Sequence, residues 1–353
     1  MQTASLKTIG LAALSVAFVA VASHRVPAQS APSGDPAFVA ADAKLEKLVD
    51  GKEHNLVFTE GPVVTCEGLV LFSDITFSGG PKGAHGGIRA GNIMQYDPGT
   101  GAVTVFRSPS GMSNGLRMDL ECNLLTAEGA DYGGRRLTRT DMKTGRAEIV
   151  TGLYQGRPYN ALNDIAIDSK GRIYFSDPRY LGHEPIDQGS MAVYRVDPDF
   201  SVHRIVTDAG KPNGVAVSPD ETALYVVSND NGQLDLLRTG GAPSIKGQMA
   251  LLKYDLDPDG NASNRTVLVD YLPENGPDGL VVDTEGNLWV AVRDESRPGI
   301  YAYAPDGTEK AYIPTTIPTN VHFGRGEDSN LLYITADNSL YRIRVGKRGH
   351  HLQ

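Results

Sequence analysis

The chain of 353 residues has only two cysteines, one tryptophan and no excess of basic residues. Its 33 lysines and arginines against 42 aspartates and glutamates give a formal net charge of −9. This balance provides no basic surface for nucleic acid or for an anionic membrane, so we expect neither as a partner. The two cysteines also form nothing that resembles a cysteine-based metal site.

Cys66 and Cys122 lie just after the inner strands of two consecutive sequence repeats, which are described below. In an oxidising compartment the two thiols could pair. Two free buried thiols are the alternative, and the sequence leaves the choice open.

A charge-free apolar run occupies residues 9–22, behind a weakly basic start at Lys7. The run is short for a membrane span, and Ala20-Val21-Ala22 offers a small-residue cleavage site, with Val26-Pro27-Ala28 as a second candidate. We therefore expect residues 1–28 to be a secretory signal peptide, with an uncleaved anchor as the alternative. Residues 29–41 are expected to be a flexible mature N-terminus, and residues 42–353 a single domain exported to the periplasm or the extracellular space.

No stretch shows the sustained 3.6-residue periodicity of a long helix. Instead, one phrase recurs six times: a polar residue, a short apolar strand, a tight turn and a second apolar strand. The residues that open the six copies are Glu60, Asn114, Asn163, Asn213, Asp278 and Asn320. A spacing of about 50 residues holds about four strands, which is one propeller blade. The sequence therefore predicts an all-β fold, a six-bladed β-propeller with four-stranded blades around a central channel. The last repeat is one strand short, and residues 45–49 could supply the missing outer strand.

The opening residues of the repeats should meet, because equivalent positions of the inner strands face the axis at one end of a propeller. Two carboxylates and four carboxamides would then share a small space, which is costly unless a cation binds there. An all-oxygen ligand set suits Ca²⁺ better than Zn²⁺, although Mg²⁺, Mn²⁺ and Zn²⁺ remain open. Each of these residues taken alone could instead be an ordinary turn residue before glycine.

Taken together, four phrases resemble those of the gluconolactonase/regucalcin-like family, over about residues 45–345. The phrases are Thr59-Glu60-Gly61-Pro62, Leu162-Asn163-Asp164, the stretch 211–220 and Gly276-Pro277-Asp278-Gly279-Leu280. The resemblance implies a propeller hydrolase with one catalytic divalent cation, usually Ca²⁺. It also implies the ligands of that cation, which are Glu60, Asn163, Asn213 and Asp278.

The chain departs from the family pattern at positions that contact substrate in relatives. Ala161 stands where regucalcin-like gluconolactonases have an arginine, and Gly129 stands where many bacterial members have a histidine after Glu128. A second metal at His322 is not expected, because Val281 stands where the similar phosphotriesterase has an aspartate. His322 is expected to fill the channel or to face the substrate.

The resemblance implies a metal-dependent hydrolase that opens a sugar-type lactone, with Asp278 as the general base on water and Glu60 as a ligand only. The candidate substrate contacts are Asn114, Glu128, Tyr180 and Asn320. A phosphotriesterase-like or other ester hydrolase on the same ring is one alternative, and a non-catalytic ligand-binding propeller is another. The closed fold is expected to be a monomer.

Overall fold

The computed structural model describes residues 31–233 and 245–352, so the expected signal peptide lies outside the described residues. Within these ranges the chain forms 27 strands and one short 3-10 helix, Gly326–Asp328. No helix of the described residues has the length and apolar character needed to cross a membrane.

The strands follow one another along the chain in blade-sized groups. Two strands precede the first blade: β1 (Ser33–Gly34) and β2 (Glu46–Val49). Blade 1 contains β3 (Thr59–Val64), β4 (Val70–Asp74), β5 (Asn92–Tyr96) and β6 (Val103–Arg107). Blade 2 contains β7 (Ser113–Met118), β8 (Leu124–Glu128), β9 (Arg136–Thr140) and β10 (Ala147–Thr151). A separate ribbon follows, with β11 (Leu153–Tyr154) and β12 (Arg157–Pro158).

The remaining four blades continue in the same order. Blade 3 contains β13 (Ile165–Ile167), β14 (Ile173–Asp177), β15 (Ala192–Val196) and β16 (Val202–Val206). Blade 4 contains β17 (Pro212–Val217), β18 (Ala223–Asn229), β19 (Met249–Leu256) and β20 (Ala262–Asp270). Blade 5 contains β21 (Pro277–Val282), β22 (Leu288–Val292), β23 (Gly299–Tyr303) and β24 (Glu309–Pro314). Blade 6 contains β25 (Pro318–Phe323), β26 (Leu331–Ala336) and β27 (Ser339–Arg344).

The six sheets form a closed ring. In each blade the strand that begins at or just after the repeat's polar residue lies at one edge of the sheet, and we call it the inner strand. The strands that follow it in the chain pair antiparallel, each with the one before. These edge strands pack against the equivalent strands of the neighbouring blades, and β25 of the last blade packs against β3 of the first. The predicted six-bladed β-propeller is confirmed.

The ring is closed by a strand from the N-terminal side of the chain. β2 pairs antiparallel with β27, with Lys47 opposite Tyr341, and becomes the fourth strand of blade 6. The sequence had placed the missing outer strand at residues 45–49, and the structure confirms this position.

Residues 31–41 belong to the segment 29–41 for which the sequence predicts flexibility, and they contain a short strand and two buried side chains. β1 pairs with β24, with Ser33 opposite Tyr312, and gives blade 5 a fifth strand. Phe38 and Val39 are buried in the apolar layer between blades 5 and 6, and the Phe38 ring lies 6.1 Å from that of Trp289. Burial of these two side chains fixes a segment whose composition resembles that of a linker.

The core consists of apolar layers between adjacent blades, because each sheet is covered on both faces. A strand buried on both faces reads as a continuous apolar run, as in Leu288–Val292. The turn before this strand is fixed by Asp283, which accepts hydrogen bonds from the Asn287 backbone at 2.9 Å and from Trp289 Nε1 at 3.1 Å.

A disulfide joins blades 1 and 2. Cys66 lies in the β3–β4 turn and Cys122 in the β7–β8 turn, with their Cα atoms 6.0 Å apart. Both turns lie at the end of the inner strands opposite to Glu60 and Asn114. The structure thus resolves the alternative that the sequence left open, and both thiols are paired.

Candidate functional site

A cavity of about 260 Å³ lies where the inner strands begin. Five of the six residues that open the repeats line it: Glu60, Asn114, Asn163, Asn213 and Asp278. The sixth, Asn320, does not. The repeat alignment therefore brought most of these side chains to one place, as the propeller symmetry requires.

Glycine after the polar residue allows the inner strands to approach each other closely. A Cβ on Gly279 would lie 2.1 Å from Cγ of Asn320, and a Cβ on Gly115 would lie 2.6 Å from the carbonyl oxygen of Asn163. Both distances are too short for any side chain. The missing side chain in one blade thus makes room for the polar residue of the next blade.

Glu60 and Asp278 are both buried, with 3 % and 5 % of their surface exposed. Burial raises the pKa of the Glu60 carboxyl well above its ordinary value, and the neighbouring Asp278 carboxylate raises it further. Burial also raises the pKa of Asp278, while the charge and hydrogen bond of Arg293 and a hydrogen bond from Asn213 oppose this shift. The protein surroundings alone therefore disfavour two charged carboxylates at this place.

Arg293 is a site residue that the sequence analysis missed. Its Nη1 donates to Asp278 Oδ2 at 2.8 Å, and its guanidinium lies 5.6 Å from the centre of the Phe58 ring. Arg293 follows directly after β22, the second strand of blade 5. Tyr180 lies three residues after the second strand of blade 3, so a search of the residues that follow the second strands could have revealed the arginine.

The amide side chains are oriented by hydrogen bonds. Asn213 donates through Nδ2 to Tyr180 Oη at 3.1 Å, and Tyr180 in turn donates to the Asn229 carbonyl at 3.1 Å. Asn114 Oδ1 is buried and accepts no hydrogen bond from the described residues. A buried oxygen without a donor is costly, and it is available to a cation or to a bound molecule.

The residues present fit a hard divalent cation. Among the described residues, no group of three or more His, Cys, Asp or Glu side chains could hold a metal ion. A metal here must therefore be held partly by asparagine oxygens. Two buried carboxylates, several carboxamides and the unpartnered oxygen of Asn114 form a set that suits Ca²⁺, Mg²⁺ or Mn²⁺ better than Zn²⁺.

Two predicted substrate contacts do not reach the cavity. Glu128 is held by Arg136 Nε at 2.8 Å, by Arg107 Nη2 at 3.4 Å and by Thr138 Oγ1 at 3.2 Å. Asn320 accepts the backbone N–H of Val321 at 2.8 Å and lies against the adjacent blade. Arg136 on the adjacent strand β9 and Arg107 on β6 of blade 1 explain the position of Glu128, which is a buried ion-pair residue. Asn114 and Tyr180 do line the cavity.

Two further residues occupy the channel behind this ring. Asp164 stands where four other blades have glycine, and its carboxylate accepts the backbone N–H groups of Ile165 and Val215 at 2.9 and 3.2 Å. Burial raises the pKa of Asp164 to about 6. His322 is buried near the opposite end, where its Nδ1 donates to the Phe323 carbonyl at 2.7 Å. His322 thus fills the channel and does not line the cavity.

Comparison with known proteins agrees with this arrangement. The profile of the SMP-30/Gluconolactonase/LRE-like region matches residues 58–338. A gluconolactonase of Zymomonas mobilis is 30% identical over 321 residues, which cover 82% of this chain and 79% of that protein. The pentonolactonase XacC of Haloferax volcanii is 27% identical over 252 residues, which cover 70% and 75%.

The fold also matches solved structures. The structure of a gluconolactonase from Xanthomonas campestris superimposes with a TM-score of 0.70 at 25% identity, and the match covers 89% of this chain and 95% of that one. Because the family profile spans most of the propeller, the family resemblance found in the sequence is confirmed. The chain belongs to the SMP-30/gluconolactonase/LRE-like family.

Proposed function

We propose that the protein hydrolyses a lactone with the help of one divalent cation, most simply Ca²⁺. The observation that carries this proposal is the convergence of two buried carboxylates and three carboxamides on one cavity. Relatives named as gluconolactonase and pentonolactonase support the class of reaction.

Glu60, Asn163, Asn213 and Asp278 would hold the cation, which would polarise the lactone carbonyl. Asp278 would act as the general base and Glu60 as a ligand only. Asp278 removes a proton from water while the water oxygen bonds to the carbonyl carbon. The ring carbon–oxygen bond then breaks, and the ring oxygen takes the proton from Asp278. The product is an open hydroxy acid, so all atoms of the lactone and the water are retained.

Two other side chains would orient the substrate. Asn114 would offer its unpartnered amide oxygen to a hydroxyl group, and Arg293, which lines the cavity beside Asp278, would supply an N–H donor. Arg293 also holds Asp278 Oδ2 at 2.8 Å and thereby orients the carboxylate. A sugar-type lactone is the first substrate to assay, because both relatives described above are named for sugar lactones.

The decisive experiment measures lactone hydrolysis by the mature chain after EDTA treatment and after each cation is restored. D-Glucono-δ-lactone, δ-valerolactone, an aryl acetate and an organophosphate triester would form the substrate panel. We expect lactone opening that EDTA abolishes and Ca²⁺ restores. Full activity after chelation would refute the role of the cation, and triester hydrolysis without lactone opening would favour the phosphotriesterase alternative.

We also propose that the protein is exported after removal of residues 1–28. The disulfide between Cys66 and Cys122 supports this proposal, because disulfides persist in oxidising compartments. Mass spectrometry of the mature protein from the native cell envelope would test both the cleavage and the compartment.

A further inference from the structure

One wall of the cavity is apolar. It is formed by side chains from blades 1 to 3: Phe58, Ile75, Phe77, Met112, Leu162 and Leu181. Phe58 and Phe77 lie with their ring centres 5.5 Å apart, and both remain partly exposed. A carbon surface of this kind beside a polar floor is available to a ligand.

Two positions on the same side of the cavity lack a polar side chain. Gly129 and Ala161 both line the cavity, together with Ala130. At these positions the chain offers neither a donor nor an acceptor from a side chain. The hydroxyl groups of a polyhydroxylated lactone would find no partner there, and burying them without hydrogen bonds would be costly.

Several polar groups elsewhere in the lining are engaged within the protein. Asn229 donates through Nδ2 to the Pro277 carbonyl at 2.9 Å, and Asn231 accepts from Lys211 Nζ at 3.0 Å. At the mouth, Asp131 accepts from the backbone N–H and the hydroxyl group of Ser78 at 2.6 and 2.7 Å. These three residues are therefore largely engaged within the protein and offer little to several substrate hydroxyls at once.

We propose that the substrate is a lactone with an apolar substituent, whose ring lies on the polar floor and whose substituent lies against the Phe58–Phe77 wall. This inference rests on the proposed lactone hydrolysis and specifies the substrate class of the same site. The cavity of about 260 Å³ suits one small ring with a short alkyl or aryl group. Apolar contact supplies the selectivity, because each methylene that leaves water increases binding about fourfold.

A series of δ-lactones with growing alkyl groups tests the proposal on the wild-type protein: δ-valerolactone, δ-hexalactone, δ-octalactone and δ-decalactone. We expect kcat/KM to rise by at least about tenfold from the first to the last, and to exceed that for D-glucono-δ-lactone. A flat or falling series, or faster opening of the gluconolactone, would overturn the apolar substrate class. If the cation-loaded protein opened none of these lactones, the proposed function itself would fail, so the two failures are distinguishable.

A matched pair of variants locates the effect. Phe77→Ser should lower the ratio of kcat/KM for δ-decalactone to that for δ-valerolactone by about tenfold. Phe200→Ser is the control, because Phe200 is also a phenylalanine with positive φ (67° against 46° for Phe77) but is exposed far from the cavity lining. The ratio should not change in the control. An unchanged ratio in a folded Phe77→Ser variant would contradict the assignment of this wall.

Discussion

Removal of Arg293 should destabilise the protein without a cation and make it depend more strongly on one. Arg293 pairs with Asp278 at 2.8 Å, and the two side chains are 27 % and 7 % exposed. Breaking a fully buried pair costs about 3–5 kcal/mol, and partial exposure of the arginine reduces this to about 2 kcal/mol for Arg293→Gln. In a domain of this size, that loss lowers Tm by about 4 °C in EDTA.

Thermal unfolding in EDTA and in saturating Ca²⁺ measures both effects. The variant leaves Glu60 and Asp278 without a counter-charge, so Ca²⁺ should raise its Tm more than it raises that of the wild type. Arg344→Gln is the control, since Arg344 pairs with Asp328 at the surface at 3.4 Å with both side chains 58 % exposed. Equal Tm of Arg293→Gln and the wild type in EDTA, or an equal gain from Ca²⁺, would refute the reasoning.

Three further predictions concern the base, the ring and the disulfide. Asp278→Asn should reduce kcat/KM for lactone opening by at least about 100-fold. If this variant bound the cation normally and opened the lactone at the wild-type rate, Asp278 would be excluded as the base. Gly279→Ala should lower both Tm and cation affinity, because the new Cβ would lie 2.1 Å from Asn320. Calorimetry measures both quantities, and an unchanged affinity would contradict the close approach of the two blades. The double replacement Cys66→Ser, Cys122→Ser opens a 56-residue loop and should cost about 4 kcal/mol in urea unfolding, whereas equal stability would mean that the bond constrains little.

The architecture could be predicted because the same physical requirement recurs in every blade. Each inner strand starts with a polar side chain at the axis and continues as an apolar run between two sheets. β2 could also be placed, since a ring with one strand missing in its last blade needs a partner for β27. β1 could not be placed, because two residues carry no strand periodicity and Phe38 is a single large apolar side chain in a linker-like segment.

The sequence predicts those side chains of the candidate site whose positions follow from the symmetry of the blades. It does not predict side chains whose positions depend on one particular ion-pair partner. Five opening residues of the repeats line the cavity because the blades are equivalent. Glu128 ends β8, but Arg107 on β6 of blade 1 and Arg136 on the adjacent strand β9 hold its carboxylate. Arg293 follows a second strand and is not one of the residues that open the repeats, so the repeat alignment did not point to its pairing with Asp278.

Pairing of β2 with β27 also has a consequence for how the protein is made. Glu46 and Arg342 form a side-chain ion pair across 296 positions of sequence. Bringing together chain ends this far apart costs about 5 kcal/mol of loop-closure entropy before any contact repays it. We therefore expect the ring to close late in folding, when the last blade has become available. Glu60 in blade 1 and Asp278 in blade 5 share their cavity only in the closed ring, so a growing or C-terminally shortened chain should acquire no partial site.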